Sequence, residues 1–215
     1  MIFDFDGTLL DTFPAIAAAW NAAMTPIFGK HYSDAEVVAH FGPPDEGMIA
    51  LELADYPREV YDRAVERYFA QFAEADRDIA VFDGILPLLD ELAARGVPLG
   101  IMTGKGRRAA EITLNRIGWN PRFGAIVTGD DARAKPDPQG VLLAARELGI
   151  EPQSCVYVGD SPADIGAAQA AEMVAVVAGW HGFYRAELEQ LAPDFWAHTP
   201  AQLGAWLGEH LAVSE

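Results

Sequence analysis

Residues 1 to 12 read MIFDFDGTLLDT, a short apolar run that ends in two carboxylates and a glycine turn. Side chains one residue apart on a strand point to opposite faces, so Asp4 and Asp6 can share a site only if the strand ends near Asp4. Gly7 allows such an ending, because glycine adopts the backbone conformations of sharp turns. Two carboxylates at a strand end can serve as nucleophile or metal ligand and as proton donor. An Asp-Gly turn is also common in itself, so these residues alone leave a purely structural role open.

From Ala80 onward the sequence alternates short apolar runs with amphipathic segments. The runs predict strands at 97–102, 125–128, 155–158 and 174–178. The segments predict helices at 85–95, 107–117, 138–148 and 162–171, and a last helix from Thr199. Apolar strands separated by amphipathic helices indicate a parallel sheet covered on both faces. We therefore predict an α/β protein with a three-layer core.

The segment between residues 13 and 81 differs from the rest, because it reads as helix almost throughout. Ser33 to Glu36 has the pattern of a capping box, and Gly42-Pro43-Pro44 interrupts the helices. An all-helical block inserted after the first strand predicts a lid over the strand ends. We expect a core domain of residues 1–12 and 82–215 and a helical cap domain of residues 13–81.

The charge balance limits the possible partners. The 215 residues include 15 Lys and Arg against 32 Asp and Glu, for a net charge of −17. This excess argues against nucleic acid and anionic membranes as partners. An anionic substrate then needs local positive charge, from a metal ion, a helix N-terminus or one of the three lysines, which are Lys30, Lys105 and Lys135.

Cysteine use and hydropathy bear on the compartment. Cys155 is the single cysteine, which excludes an intramolecular disulfide. No secretory signal pattern precedes Asp4, and the longest uncharged stretches are too short to span a bilayer. We expect a cytoplasmic protein.

Polar residues collect where the predicted strands end. They are Asp4 and Asp6, then Thr103-Gly104-Lys105, then Lys135-Pro136, and finally Gly159-Asp160-Ser161-Pro162-Ala163-Asp164. Ligands of open parallel sheets bind beyond the carboxyl ends of the strands. Each residue has an ordinary alternative, such as a helix cap or a solvated loop, but four strand ends supplying such groups favour one shared site.

These side chains suit phosphoryl transfer. Asp4 can attack phosphorus, and Asp6 can protonate the leaving alkoxide and then activate water. Mg2+ held by Asp4 and Asp160 would neutralise the developing charge. The phosphoryl oxygens can be held by Thr103, Lys135 and the turn amides of Gly7 and Thr8.

With these residues the chain resembles the haloacid dehalogenase superfamily of phosphohydrolases, in particular its phosphoglycolate phosphatase-like branch with a small helical cap. The four motifs of that family match, in order, Asp4-x-Asp6-Gly7-Thr8, Thr103, Lys135-Pro136 and Gly159-Asp160-x-x-x-Asp164. The resemblance implies a Rossmann-like parallel-sheet core with an inserted all-α cap. It also implies a Mg2+-dependent phosphatase that acts on a small phosphate monoester, phosphoglycolate or a related metabolite.

The resemblance also implies roles for individual residues. Asp4 is the nucleophile, Asp6 is the general acid and base, and Thr103 and Lys135 complete the catalytic set. Mg2+ is bound by Asp4, the Asp6 carbonyl and Asp160, with Asp164 in support. The phosphate-binding residues are Gly7, Thr8, Thr103, Gly104 and Lys135. Many relatives have asparagine where this chain has Gly104, so a backbone group would replace that side-chain contact. The expected partner is a small phosphorylated metabolite, and the expected state is a monomer or a homodimer.

Related chemistries give the alternatives. Dehalogenases of the family lack the second aspartate, and phosphonatases carry alanine there, so Asp6 argues against both. A mutase of the β-phosphoglucomutase type uses the same four motifs and stays open, as does a pyrophosphatase. A phosphate-sensing protein with an inactive site would be expected to have lost a motif residue, and none is missing.

Substrate choice is expected to lie in the cap and in the loops that face it. The segment 40–46 matches the position of the family's specificity loop, and its candidate residues are His40, Gly42, Pro43 and Glu46. His181 follows the strand 174–178 and is a candidate contact to the leaving group. An ordinary connection between two helices remains the alternative for the segment 40–46.

Overall fold

The computed structural model describes residues 1–182 and 184–210. Its strands are β1 (Ile2–Phe3), β2 (Leu10–Asp11), β3 (Ala80–Val81), β4 (Gly100–Met102), β5 (Ala125–Val127), β6 (Val156–Gly159), β7 (Val174–Ala178) and β8 (Phe195–Ala197). Its helices are α1 (Phe13–Phe28), α2 (Asp34–Val38), α3 (Asp45–Glu52), α4 (Arg58–Ala75), α5 (Ile85–Ala94), α6 (Arg107–Ile117), α7 (Gln139–Leu148), α8 (Pro162–Ala170), α9 (Arg185–Leu188) and α10 (Pro200–His210).

The main sheet has six strands, all parallel, in the order β5-β4-β1-β6-β7-β8. Side chains along a strand alternate between its two faces. Ile2 accordingly belongs to the hydrophobic cluster that contains Val141 of α7 and Ile165 of α8, whereas Phe3 belongs to the cluster that contains Leu89 of α5 and Leu114 of α6. Helices thus cover both faces, which confirms the predicted three-layer α/β architecture.

The strand predicted at 97–102 is shorter in the structure and begins at Gly100. Proline has no N–H, so Pro98 cannot donate a hydrogen bond to a neighbouring strand. The Pro98 carbonyl instead accepts a hydrogen bond from the amino group of Met1 (2.7 Å). The N–H of Gly100 donates to the Met1 carbonyl (2.9 Å), and the pairing with β1 starts there.

Helices α1 to α4 lie between β2 and β3 in the chain. These two strands pair antiparallel, Leu10 with Val81 and Asp11 with Ala80. The helical segment therefore leaves and re-enters the core through one short ribbon, and this supports the proposed boundaries at residues 13 and 81. None of the helices in the described ranges combines the length and the apolar character needed to cross a membrane.

Candidate active site

The carboxyl ends of three neighbouring strands, β4, β1 and β6, meet at one edge of the sheet. The N–H of Asp4 continues the pairing of β1 by donating to the Val158 carbonyl (2.8 Å), and that of Thr103 donates to the Val127 carbonyl (3.0 Å). Asp160 directly follows β6. Because the strand order reverses direction at β1, this edge is where such sheets bind ligands.

Gly7 forms the turn that carries Asp6 away from β1. Its φ of +76° lies in the left-handed region, and a Cβ added there would lie 2.3 Å from Oδ2 of Asp160. Glycine is therefore needed for the turn and for the close approach of the Asp160 carboxylate. The sequence led us to expect that the N–H of Gly7 would hold a phosphoryl oxygen. In the structure this N–H donates to the Leu10 carbonyl (2.9 Å) and so stabilises the turn.

Thr8 lies fully buried behind the same turn. Its carbonyl accepts a hydrogen bond from Nε1 of Trp180 (3.0 Å). Its hydroxyl has no hydrogen-bond partner among residues 1–182 and 184–210, and the residue does not line the cavity described below. Thr8 is thus buried beneath the turn, and the predicted contact between Thr8 and a phosphate stays a prediction.

Lys135 connects two of the carboxylates. Its Nζ lies 2.9 Å from Oδ1 of Asp4 and 2.5 Å from Oδ1 of Asp164. The hydroxyl of Tyr157 donates to the Met102 carbonyl (2.8 Å), and its oxygen lies 3.3 Å from Nζ of Lys135. Burial disfavours the charged amine, but the carboxylates outweigh it and raise the pKa of Lys135 well above its ordinary value, so the amine stays charged.

Asp4, Asp160 and Asp164 form a buried acidic cluster, with one carboxylate oxygen of each within 4.8 Å of the others. Burial raises the pKa of Asp4 well above its ordinary value; Lys135 counters this, and the neighbouring carboxylates reinforce it. Burial also raises the pKa of Asp160, against the lowering effect of His181, whose Nδ1 lies 3.2 Å from Oδ2 of Asp160.

This cluster fits a divalent cation. Among the described residues, Lys135 forms ion pairs with Asp4 and Asp164, and the buried Asp160 adds a third carboxylate, so carboxylates outnumber the ammonium that they surround at a site shielded from water. Carboxylate oxygens are the ligands that Mg2+ prefers. Asp164 is the most occupied of the three, because its Oδ2 accepts from both the N–H (3.0 Å) and the hydroxyl (2.6 Å) of Ser161. Because its oxygens already have these partners, Asp164 is suited to a supporting role beside the cation and not to that of a main ligand.

Asp6 lies on the cavity side of the turn, next to a second buried lysine. Nζ of Lys105 is 3.1 Å from Oδ2 of Asp6, and the Lys105 side chain is only 1% exposed. Burial opposes the charge on Lys105, but the carboxylates of Asp6 and Asp45 outweigh it and raise the pKa of the amine. Oδ1 of Asp6 is buried and has no hydrogen-bond partner within the described ranges.

A cavity of about 430 Å³ lies between the strand ends and helices α1 to α3. The motif residues that line it are Asp4, Asp6, Gly7, Thr103, Gly104, Lys135 and Asp160. The helical segment contributes an apolar wall of Phe13, Ile16, Val38, Phe41 and Met48. One side of the cavity is therefore charged and suits a phosphoryl group, and the opposite side is apolar and suits the rest of a small molecule.

The predicted specificity residues fall into two groups. Gly42, Pro43 and His181 line the cavity. His40 does not, because its ring packs on Trp20 with centroids 4.5 Å apart and its Nε2 lies 3.2 Å from a carboxylate oxygen of Glu52.

Glu46 also lies off the cavity wall. It is half-exposed on α3, with a carboxylate oxygen 4.0 Å from Nη1 of Arg108. Of the segment 40–46, the part that faces the cavity therefore runs from Phe41 to Pro43, together with Asp45.

Comparison with known proteins identifies the family. A family model described as haloacid dehalogenase-like hydrolase matches residues 1–178. The chain belongs to this family.

Individual relatives of the hydrolase cover nearly the whole chain. This chain is 32% identical over 213 residues to a phosphoglycolate phosphatase of Xanthomonas campestris pv. campestris strain 8004, and the match covers 96% of both chains. It is 29% identical over 201 residues to the pyrophosphatase PpaX of Oceanobacillus iheyensis, covering 91% of this chain and 90% of the relative.

A solved structure agrees with these relatives. CbbY from Rhodobacter sphaeroides, solved in complex with phosphate, superimposes with a TM-score of 0.81 at 26% identity, covering 94% of this chain and 95% of that one. The family, the fold with its helical cap, and the enzyme class of phosphoric monoester hydrolase are thereby confirmed.

Two polar residues of the site were not assigned a role from the sequence. Lys105 stood out as one of three lysines and as part of the polar run that follows the strand predicted at 97–102, and Asp45 only as part of a loop. Asp45 is buried at the start of α3, where its carboxylate accepts from the N–H of Gly106 (2.8 Å) and the hydroxyl of Tyr68 (2.7 Å). These contacts join segments far apart in the chain, so no local pattern reveals them.

Proposed function

We propose that the hydrolase is a Mg2+-dependent phosphatase that cleaves a small phosphate monoester through an aspartyl phosphate on Asp4. The observation that carries the proposal is the 2.9 Å pairing of Asp4 with Lys135 at the end of the central strand, beside the cavity that Asp6 also lines. A carboxylate held by a buried ammonium, with a second carboxyl group lining the same cavity, suits nucleophilic attack followed by proton transfer.

In the first step an oxygen of Asp4 attacks phosphorus and the bond from phosphorus to the ester oxygen breaks. The leaving oxygen takes a proton from the carboxyl group of Asp6, so the product is an alcohol and Asp6 becomes a carboxylate. Lys135 holds the Asp4 carboxylate and offsets its repulsion with the incoming phosphoryl group.

In the second step Asp6 takes a proton from water as the water oxygen attacks phosphorus. The bond between phosphorus and Asp4 breaks, which releases inorganic phosphate and restores both aspartates. Thr103, Gly104 and Lys135 are the groups we propose for holding the phosphoryl oxygens, since all three line the cavity.

Mg2+ would be held by Asp4, the Asp6 carbonyl and Asp160, with Asp164 in support, and it supplies positive charge that offsets the charge of the phosphoryl group. The excess of buried carboxylates over ammonium groups supports this assignment.

The substrate we propose is phosphoglycolate or a related small metabolite. A cavity of about 430 Å³ suits a small ester, and the Xanthomonas relative carries the name of that activity. Pyrophosphate is the second candidate, because the Oceanobacillus relative is named a pyrophosphatase. Turnover of each by the purified enzyme with Mg2+, compared as kcat/KM, decides between them, and transfer to a sugar acceptor would indicate a mutase.

We further propose a cytoplasmic location, which the lone buried Cys155 supports.

Asp4→Asn tests the covalent route. The substitution keeps the shape but removes the charge of the nucleophile, so we expect hydrolysis to be lost, and with it the phosphorylated protein seen by mass spectrometry after acid quench. Asp83→Asn, at an exposed position of the core, serves as the matched control and should leave both unchanged. Wild-type turnover in Asp4→Asn would overturn the assignment of Asp4 as the nucleophile. Full activity in the presence of EDTA would overturn the proposed dependence on Mg2+.

Asp6→Asn tests the proton donor. For an alkyl phosphate we expect kcat/KM to fall by about 100-fold or more, the usual size of a general-acid contribution. For para-nitrophenyl phosphate, whose leaving group needs little protonation, the fall should be much smaller. Equal losses on both substrates would give Asp6 a structural role instead.

A further inference from the structure

Lys105 is buried between the catalytic edge and the helical cap. Its side chain is 1% exposed, its Nζ lies 3.1 Å from Oδ2 of Asp6, and the same Nζ lies 4.7 Å from the ring centroid of Phe72 on α4. The amine therefore contacts the proposed proton donor on one side and an aromatic residue of the cap on the other. Lys105 itself lies outside the four motifs of the family.

Both parts of the molecule hold the backbone around Lys105. The N–H of Lys105 donates to Oγ1 of Thr103 (3.1 Å), which belongs to the core. The next N–H, that of Gly106, donates to Oδ2 of Asp45 (2.8 Å) on α3, and Asp45 also accepts from Tyr68 on α4. The position of Lys105 thus depends on contact between the strand ends and helices α3 and α4.

We propose that Lys105 is a positioning residue that holds Asp6 in the orientation for proton transfer, and that it does so while Phe72 covers its amine. The inference rests on the proposed role of Asp6 as general acid and base. The ammonium of Lys105 lies beside Oδ2 of Asp6, whereas Oδ1 is buried and has no hydrogen-bond partner within the described part of the chain, so the contact with Lys105 is the one that fixes the carboxyl group.

Burial gives this contact its strength. An ion pair removed from water is held more tightly than an exposed one, because the local dielectric constant is lower. The aromatic face of Phe72 adds attraction to the ammonium and keeps water from replacing Asp6 as its partner. Movement of α4 away from the core would expose the amine to water and release the carboxylate. Proton transfer would thereby be linked to contact between cap and core.

Lys105→Met tests the role, because methionine fills similar space without the charge. We expect kcat/KM for 2-phosphoglycolate or another alkyl phosphate to fall by roughly 10-fold to 100-fold, as for a misplaced catalytic group. For para-nitrophenyl phosphate we expect a loss below about threefold, since that leaving group needs little help from an acid. Lys30→Met is the matched control, because Lys30 is an exposed cap lysine paired with Glu36, and it should leave both values unchanged.

A double-mutant cycle with Asp6→Asn shows whether Lys105 acts through Asp6. If it does, adding Lys105→Met to Asp6→Asn changes kcat/KM for the alkyl phosphate by less than about twofold, because coupled residues are not additive. Multiplied losses in the double variant, or equal losses on both substrates in Lys105→Met, overturn the inference.

Phe72→Leu provides a second variant that keeps the lysine and most of the apolar volume. It should show the same dependence on the leaving group, with a smaller loss, while circular dichroism and thermal unfolding confirm a folded protein. A uniform loss on both substrates would overturn the proposed coupling to the cap. If Asp6→Asn itself loses no activity on alkyl phosphates, it is the proposed function that fails; if Asp6→Asn is impaired and Lys105→Met is not, only the inference fails.

Discussion

Asp76→Ala probes the attachment of the cap to the core. Asp76 directly follows α4, is 1% exposed, and accepts hydrogen bonds from the Thr113 hydroxyl and from Nε of Arg116. Both donors lie on α6 of the core. One buried carboxylate therefore joins the last turn of the helical segment to the core, and its removal should weaken the folded state measurably.

The size of the effect follows from what the substitution leaves behind. Thr113 is fully buried and would lose its acceptor, which costs about 1–3 kcal/mol. The side chain of Arg116 is 31% exposed, so water can replace its partner and that loss is smaller, about 1 kcal/mol. We expect Asp76→Ala to lower the free energy of unfolding by about 2–4 kcal/mol. A loss of about 3 kcal/mol lowers Tm by roughly 6–12 °C in a protein of this size.

The assay is urea unfolding followed by circular dichroism and tryptophan fluorescence, with comparison of m-values to check that one transition is measured. Asp78→Ala is the matched control, because Asp78 is exposed in the same turn, and it should stay within about 0.5 kcal/mol of the wild type. Thr113→Val removes only the hydroxyl donor and should cost about 1 kcal/mol.

The double variant Asp76→Ala, Thr113→Val gives the decisive comparison. Because the two residues share a hydrogen bond, its loss should be smaller than the sum of the single losses by about 0.5 kcal/mol or more. Stability of Asp76→Ala equal to that of Asp78→Ala, or strict additivity in the double variant, would refute the reasoning.

Three further predictions concern the turn, the cavity wall and pH. Gly7→Ala should lower kcat/KM by about 100-fold, because its Cβ displaces the Asp160 carboxylate; titration with Mg2+ should show weaker activation, and unchanged activation contradicts the reasoning. Phe41→Ala should change the ratio of kcat/KM between two natural esters, whereas Glu46→Ala should not; the reverse pattern would place specificity on α3. Bonds from Ser33 and Lys30 lower the pKa of Glu36 to about 2, so its ionised form contributes stability above about pH 4.5 that is lost between 4.5 and 2. The stability difference between wild type and Glu36→Gln should vanish toward pH 2, and a constant difference contradicts this.

Local patterns predicted most of the elements. Apolar runs located β5, β6 and β7 to within a residue or two, and glycines ended helices as expected, with Gly118 and Gly149 in the left-handed conformation after α6 and α7. They did not predict β8 or the ribbon of β2 and β3. A strand of two or three residues has too few positions to show a period, and its partner lies far away in the chain.

The residue types of the motifs predicted the groups that we propose for the chemistry. That information is local for Asp4, Thr103 and Asp160, which each follow an apolar run visible in the sequence, and for Asp6, which precedes a turn glycine. The family and the class of phosphoric monoester hydrolase followed from those motifs, and the comparisons confirmed both.

Only the tertiary structure decided which groups touch. It paired Lys105 with Asp6, directed His40 onto Trp20 and away from the cavity, and engaged the Gly7 amide with Leu10. The physical reason is that an amphipathic pattern defines which face of a helix is buried but not the partner across the interface. Partners depend on the packing of segments distant in sequence, and the cavity wall is made where the inserted helices meet the strand ends.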